Sequence, residues 1–188
     1  MTSHTSELED TPFCYDRSVS AYDSLYASAI ENDWFAQGTG IGSSKTIYGT
    51  TLRSKYVSLA RNNGTTYPYT PQLSCSQPND NFTVSSSNGN GALTYPVGLI
   101  TTDEIVMAGG LGWKSNPSYY LNSGVSWWAG SPVRFAGGGA VAWSVVGNGY
   151  ANDALVNGEV GARVVVSLRL GYTISGGNGT VSNPYTVS

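Results

Sequence analysis

Few residues of this sequence have the chemistry that catalysis or metal binding requires. The single histidine, His4, lies in a polar N-terminal stretch, where we expect it to be solvated. A nucleophilic Ser-His-Asp or Cys-His site needs a positioned histidine, and a mononuclear iron or zinc site usually needs two or three. No GxxxxGK[ST] motif occurs, and Gly137-Gly138-Gly139 does not join a strand to a helix. We therefore predict no enzymatic activity, no cofactor and no metal site.

Two adjacent carboxylates, Asp103 and Glu104, would suit general acid–base catalysis if they faced one site. Adjacent residues of a helix point about 100° apart, which makes a shared site poor geometry. Thr101 and Glu104 instead have the spacing of a capping box, and acids near a helix N-terminus interact favourably with its dipole. We predict a short helix here that ends at Gly109-Gly110.

The two cysteines, Cys14 and Cys75, are either a free pair in a reducing compartment or one disulfide in an oxidising one. A reactive nucleophile is disfavoured because no partner histidine is present. A disulfide would close a long loop and stabilise the fold by about 4 kcal/mol in the chain-entropy model.

Composition narrows the class of protein. The chain has 188 residues, which suits one domain. With nine basic and twelve acidic residues, the sequence lacks the excess of positive charge that binding to nucleic-acid phosphates requires. An aromatic content of 12% and a net charge of -3 argue against disorder. No apolar run approaches the roughly 18 residues of a membrane span, and the first twelve residues do not resemble a signal peptide.

The elements that would position a site are two helices and several strands. Apolar residues from Ser20 to Trp34 recur at helical spacing and predict the first helix. Ala140 to Val146 alternates, which predicts a strand that buries the face of Val141, Trp143 and Val145. Gly147-Asn148-Gly149 predicts a hairpin turn after it.

Two further strands are predicted near the C-terminus. Gly161 to Leu170 contains the run Val164-Val165-Val166 and is typical of a central strand. Gly176 to Gly179 predicts a turn, and Pro184 to Val187 predicts a final edge strand.

Four segments in order resemble the formylglycine-generating-enzyme-like (sulfatase-modifying-factor-like) superfamily. Gly98 to Glu104 resembles its R-L-P-T-E-x-E-W segment, and Trp127 to Pro132 resembles W-x-x-S-P. Gly161 to Leu168 resembles the closing G-x-R-P-V-V-S-L strand, with Val164 where proline is usual. Phe13 to Ser18, with Cys75 downstream, resembles cysteine-paired members that are secreted or surface-attached in gut bacteria.

This resemblance implies an α+β class and a C-type lectin fold, with a small twisted antiparallel sheet, two helices and long irregular loops. It implies a single domain over 13-188 after a tail or truncated linker at 1-12. It also implies a Cys14–Cys75 disulfide and export to an extracellular or cell-surface location in bacteria or phage, with the leader or anchor absent from this chain. The superfamily's catalytic cysteines and histidine cluster have no counterpart here.

Lectins of this fold use calcium to bind sugars, and one segment of the sequence is similar to their calcium-site motif. Gln77-Pro78-Asn79-Asp80 is similar to the sugar-binding Q-P-D motif. It precedes the predicted second helix, rather than lying in the long loop that normally carries the motif, and no W-N-D partner occurs. We therefore do not predict calcium binding there.

The segment from Trp127 onward also resembles the variable proteins of diversity-generating retroelements, in which adenine-directed mutation changes positions of a binding surface. The corresponding positions here are Val133, Arg134, Ala136, Ser144, Val146, Tyr150, Asn152, Asp153, Ala154, Asn157 and Val160. The framework between them consists of Trp127, Trp143, Gly149, Gly161 and Arg163. Arg134 is the predicted anchor of the surface. We expect Trp127 to pack inward, the alternative for either Trp127 or Trp128 being a stacking platform for a sugar.

These observations predict a non-enzymatic extracellular display domain that binds a protein or glycan ligand on a cell or phage surface. Contact with a membrane is expected only through a missing N-terminal anchor. The alternative is a structural or adhesive subunit of a pilus or phage tail without a diversified site.

Overall fold

β-strands are the main regular secondary structure among the described residues. The structure is a computed structural model and describes residues 5–18, 44–47, 50–53, 57–62, 69–75, 77–136, 139–180 and 182–188. Its strands are β1 (Leu8–Glu9), β2 (Phe13–Cys14), β3 (Ser44–Ile47), β4 (Thr50–Arg53), β5 (Asn81–Phe82), β6 (Gly98–Leu99), β7 (Leu111–Gly112), β8 (Trp127–Ala136), β9 (Gly139–Val146), β10 (Tyr150–Leu155), β11 (Val164–Val165), β12 (Ser167–Leu168), β13 (Ile174–Gly176) and β14 (Thr186–Val187). Its α-helices are α1 (Val57–Asn62) and α2 (Thr102–Met107), and its 3-10 turns are Thr5–Glu7 and Pro78–Asp80.

The predicted α+β class and C-type lectin fold are wrong, because strands dominate the structure. The central sheet has the order β7-β10-β9-β8 and is mixed, since β7 runs parallel to β10. The other described strands form five two-stranded ladders around it. The two described helices have only six residues each, so strands supply most of the core. The predicted helix over residues 20–34 lies outside the described residues.

The core lies on one face of the central sheet. The predicted alternation in β9 is confirmed, because Val141, Trp143 and Val145 are all buried. Trp127 on β8 and Ala151 on β10 pack into the same cluster. The predicted hairpin is also confirmed: residues 147–149 join β9 to β10.

Helix α2 begins and ends as its sequence predicts. The Thr101 hydroxyl accepts a hydrogen bond from the Glu104 N–H at 3.1 Å, and the Glu104 carboxylate accepts one from the Thr101 N–H at 2.8 Å. This is a complete capping box. Gly109, at φ 96°, ends the helix in the left-handed conformation that glycine adopts without steric cost.

A buried ion-pair cluster joins three distant segments. The Arg61 guanidinium of α1 donates to Asp103 of α2 at 2.9 and 3.2 Å, and to Asp16 at 2.8 Å. Asp103 also accepts the Gln72 N–H. The Asp103 and Glu104 carboxylates therefore have separate structural partners, which excludes the paired acid–base site considered for them.

The prediction of a central strand over Gly161 to Leu170 is wrong. Only β11 and β12 form there, each two residues long, pairing with β6 and β1 respectively. Val164 is 62% exposed, and each of the two short strands pairs with a single described strand. Leu8 and Glu9, which the sequence placed in a tail, form the β1 partner of β12.

The cysteine pair and the C-terminal strand follow the sequence more closely. Cys14 and Cys75 form a disulfide whose Cα atoms lie 5.4 Å apart. The predicted final strand appears as β14, which pairs with β13. Among the described residues, no helix is long and apolar enough to cross a membrane.

Candidate ligand-binding face

The second face of the β9–β10 hairpin brings several predicted surface positions together. In the antiparallel register, Val146 lies opposite Tyr150, and Ser144 lies opposite Asn152. Ser144 also pairs with Trp128 of β8, and Ala154 follows Asn152 on the same face. Directly paired residues point to the same side of a sheet. We call this set the hairpin face: Trp128, Ser144, Val146, Tyr150, Asn152 and Ala154.

Exposure divides the hairpin face into a base and a rim. Ser144 is only 2% exposed and lies between Trp128 and Asn152. Its hydroxyl is 3.5 Å from the Asn152 carbonyl oxygen. Trp128, Val146, Tyr150, Asn152 and Ala154 are each half-buried. A ligand would therefore contact the rim, and Ser144 is a supporting residue rather than a contact.

The rim offers polar and aromatic side chains that are not tied to a hydrogen-bond partner among the described residues. The Asn152 side-chain amide makes no hydrogen bond to another described residue, and it carries both donors and an acceptor. Burial raises the pKa of the Tyr150 phenol, and the negative charge of Asp153 raises it further. The hydroxyl therefore stays a neutral donor and acceptor at physiological pH. Tyrosine and asparagine form adaptable contacts of the kind found in antibody loops.

The remaining predicted positions lie elsewhere. Val133 is fully buried in the core and is not a surface position. Asp153 lies opposite Trp143 and therefore points to the other face of the sheet. Asn157, exposed, and Val160, half-buried, follow β10 in the chain. The backbones of Arg134 and Ala136 pair with Val141 and Gly139, while their side chains lie outside the described part of the structure.

The framework residues hold the hairpin in place. Trp127 is buried, as predicted, and the Arg163 guanidinium lies 5.3 Å from its ring centroid. Arg163 also donates to the Leu121 carbonyl. Trp143 packs edge-on to Trp113, with ring centroids 4.4 Å apart. The hairpin face therefore rests on an aromatic layer on the opposite side of the sheet.

An apolar cleft of about 530 Å³ continues from the hairpin face and was not predicted from the sequence. Trp128 and Ala142 form its boundary with the face, and Tyr15, Leu99 and Val164 line it further out. The Tyr15 hydroxyl bonds both the N–H and the carbonyl of Leu99, so it has little capacity for a ligand. The lining comes from distant chain segments, and no local pattern could have revealed it.

The motif similar to a calcium site has a different role. Asp80 is buried, and its carboxylate accepts from the Arg17 side chain at 2.6 Å and from the Arg17 N–H at 2.9 Å. The carboxylate is thus neutralised by a cation of the protein. Over the described ranges, no group of three or more His, Cys, Asp or Glu residues could hold a metal ion.

Comparison with protein-family models, with curated proteins and with solved structures finds no match to this chain.

Proposed function

We propose that this chain is a non-enzymatic, extracellular display domain that binds a protein or glycan ligand through the hairpin face. On this proposal it is the variable protein of a diversity-generating retroelement in a bacterium or phage. The observation that carries the proposal is the hairpin register. Five of the positions predicted to vary, Ser144, Val146, Tyr150, Asn152 and Ala154, share one side of β9 and β10.

The two sides of the hairpin differ in burial, as a display surface requires. Trp143, Val145 and Ala151 are buried on one side. Tyr150, Asn152 and Ala154 are half-buried on the other, at alternating positions of one strand. Replacing the rim residues of the second side, in contrast to the buried Ser144, removes little of the packing that holds the sheet. Such an arrangement allows sequence change without loss of the fold.

The proposed location is supported by the disulfide alone. Cys14 and Cys75 are bonded, and disulfides persist mainly in secreted and surface proteins.

The test is the nucleotide sequence of the 3′ part of the gene in many clones or isolates. We expect changes at adenines to cluster in the codons of Val146, Tyr150, Asn152 and Ala154, with Trp143 constant. A nearby template copy and a reverse-transcriptase gene should accompany them. A uniform sequence, or changes spread evenly over the buried positions, would contradict the proposal.

A further inference from the structure

The C-terminal β13–β14 hairpin leaves apolar side chains uncovered. Ile174 is 64% exposed, Tyr185 57% and Val187 42%. Ile174 and Val187 are direct partners across the two strands and so stand on one face. The hairpin forms a two-stranded sheet that no other described strand extends. A lone two-stranded hairpin is only marginally stable in water.

One edge of this hairpin is regular, and no other described strand pairs with it. Thr173 and Ser188 exchange both backbone hydrogen bonds, at 3.0 and 3.1 Å, so they form a hydrogen-bonded pair. The next pair, Ile174 and Val187, is then a non-hydrogen-bonded pair whose N–H and C=O groups point outward. The register shift between Ile174 and Gly176 adds a residue to β13, which bends that strand's edge. The β14 strand has no extra residue, and its outer edge has no partner among the described strands.

The hairpin also lacks the charges that usually protect an open edge. From residue 170 to residue 188 the sequence contains no Asp, Glu, Lys, Arg or His. Monomeric proteins commonly place charged side chains, especially lysine, on exposed edge strands to prevent pairing. The side chains of this segment would bring no like charges together when two copies meet, and would bury no unpaired side-chain charge. The surface is therefore electrostatically compatible with itself.

We propose that β14 is a self-association edge, and that its partner is the β14 strand of a second copy of this chain. The two strands pair antiparallel about a two-fold axis, which joins two hairpins into a four-stranded intermolecular sheet. The outward N–H and C=O groups of Val187 gain partners, and the apolar faces around Ile174 and Tyr185 become continuous. An isologous contact of this kind closes at the dimer. This inference does not depend on the proposed function of the hairpin face.

The test is the mass of the full-length, oxidised protein in solution, measured by sedimentation over a range of concentrations up to about 1 mM. We expect a reversible monomer–dimer equilibrium. Val187→Lys should weaken dimerisation by at least about tenfold, because two like charges would face each other across the axis. The matched control is Val125→Lys. Val125 is 64% exposed, far from β14 in sequence, and its replacement should leave the equilibrium unchanged.

Hydrogen exchange on the unmodified protein gives a readout that does not depend on any variant folding. The Val187 amide should exchange more slowly as the protein is concentrated into the dimer. A monomer at all concentrations would overturn the proposal, as would an open-ended polymer. A dimer that is insensitive to Val187→Lys, or whose Val187 amide exchanges equally fast at all concentrations, would overturn it as well.

Discussion

Arg61 is a buried cation, and two carboxylates from distant parts of the chain compensate its charge. Its side chain is 8% exposed and contacts Asp103 and Asp16. Burial lowers the pKa of Arg61, but hydrogen bonds and charge interactions with Asp103 and Asp16 outweigh this and raise it. The cluster connects α1, α2 and the N-terminal segment. Breaking one pair would leave a buried charge with reduced compensation.

Replacing Asp103 should therefore destabilise the fold strongly. Asp103→Asn removes the charge that pairs with Arg61, and the expected loss in the free energy of unfolding is about 3–5 kcal/mol, as for other broken buried pairs. Glu104→Gln is the matched control, since it keeps the capping-box geometry and should cost less than about 1 kcal/mol. Denaturant unfolding measures both. A loss for Asp103→Asn no larger than that for Glu104→Gln would contradict a buried ion-pair role.

At the scale of the element, the β9–β10 turn depends on a glycine that no other residue replaces well. Gly149 has φ 73°, and a β-carbon there would overlap the carbonyl oxygen of Asn116. Gly124 has nearly the same conformation, φ 74°, but no atom lies within 4 Å of its β-carbon position. Substitution of Gly124 therefore introduces backbone strain alone, whereas substitution of Gly149 introduces both backbone strain and steric overlap.

Gly149→Ala should cost more than Gly124→Ala. Both variants bear the penalty of a left-handed conformation, about 1 kcal/mol. Gly149→Ala must also move backbone away from Asn116, which should bring the total above about 2 kcal/mol. Denaturant midpoints with unchanged m-values give the comparison. Equal costs would mean that the turn at Gly149 does not lie against the Asn116 carbonyl as the structure describes.

The parts of the structure that local sequence determines were predictable. The capping box of α2 and the turn at 147–149 depend on residues within four positions of each other, and both predictions are confirmed. The burial of Trp143 follows from alternation along one strand. Each of these features is specified by residues that lie close together in the sequence.

Features that depend on distant segments were missed. The Val164–Val166 run is apolar enough for a central strand, but β6 is the single described strand that pairs with β11. Sequence periodicity cannot reveal which strands become neighbours. Val133 was predicted as a surface position and is buried, because the pairing of β8 with β9 shifts register near Pro132. The apolar cleft and the Arg61 cluster likewise join separate parts of the chain.

At the scale of the whole molecule, the disulfide ties the N-terminal segment to the region before α2. It joins residues 61 positions apart. β2, which contains Cys14, also pairs with β5, and β1 pairs with β12 near the C-terminus. The N-terminal segment thus contacts strands that lie far apart in sequence, and the disulfide limits how far it can separate when the chain unfolds.

Reduction should therefore lower the melting temperature clearly. The chain-entropy model gives about 4 kcal/mol for a loop of this length, or roughly ten degrees for a protein of this size. The Cys14→Ser/Cys75→Ser double variant should melt at the lower temperature and not respond to reductant. Calorimetry with and without reductant tests this. An unchanged melt on complete reduction would remove the support that the disulfide gives to an extracellular location.

The central claim is that one side of the β9–β10 hairpin maintains the fold while the other is free to vary. Its most direct test truncates one aromatic side chain on each side of the same hairpin and compares the free energies of unfolding. Trp143→Ala should cost about 3–5 kcal/mol, because it empties a buried site. Tyr150→Ala and Asn152→Ala should each cost less than about 1 kcal/mol. If Tyr150→Ala destabilised the protein as much as Trp143→Ala, the hairpin face would be structural and the display function would be contradicted.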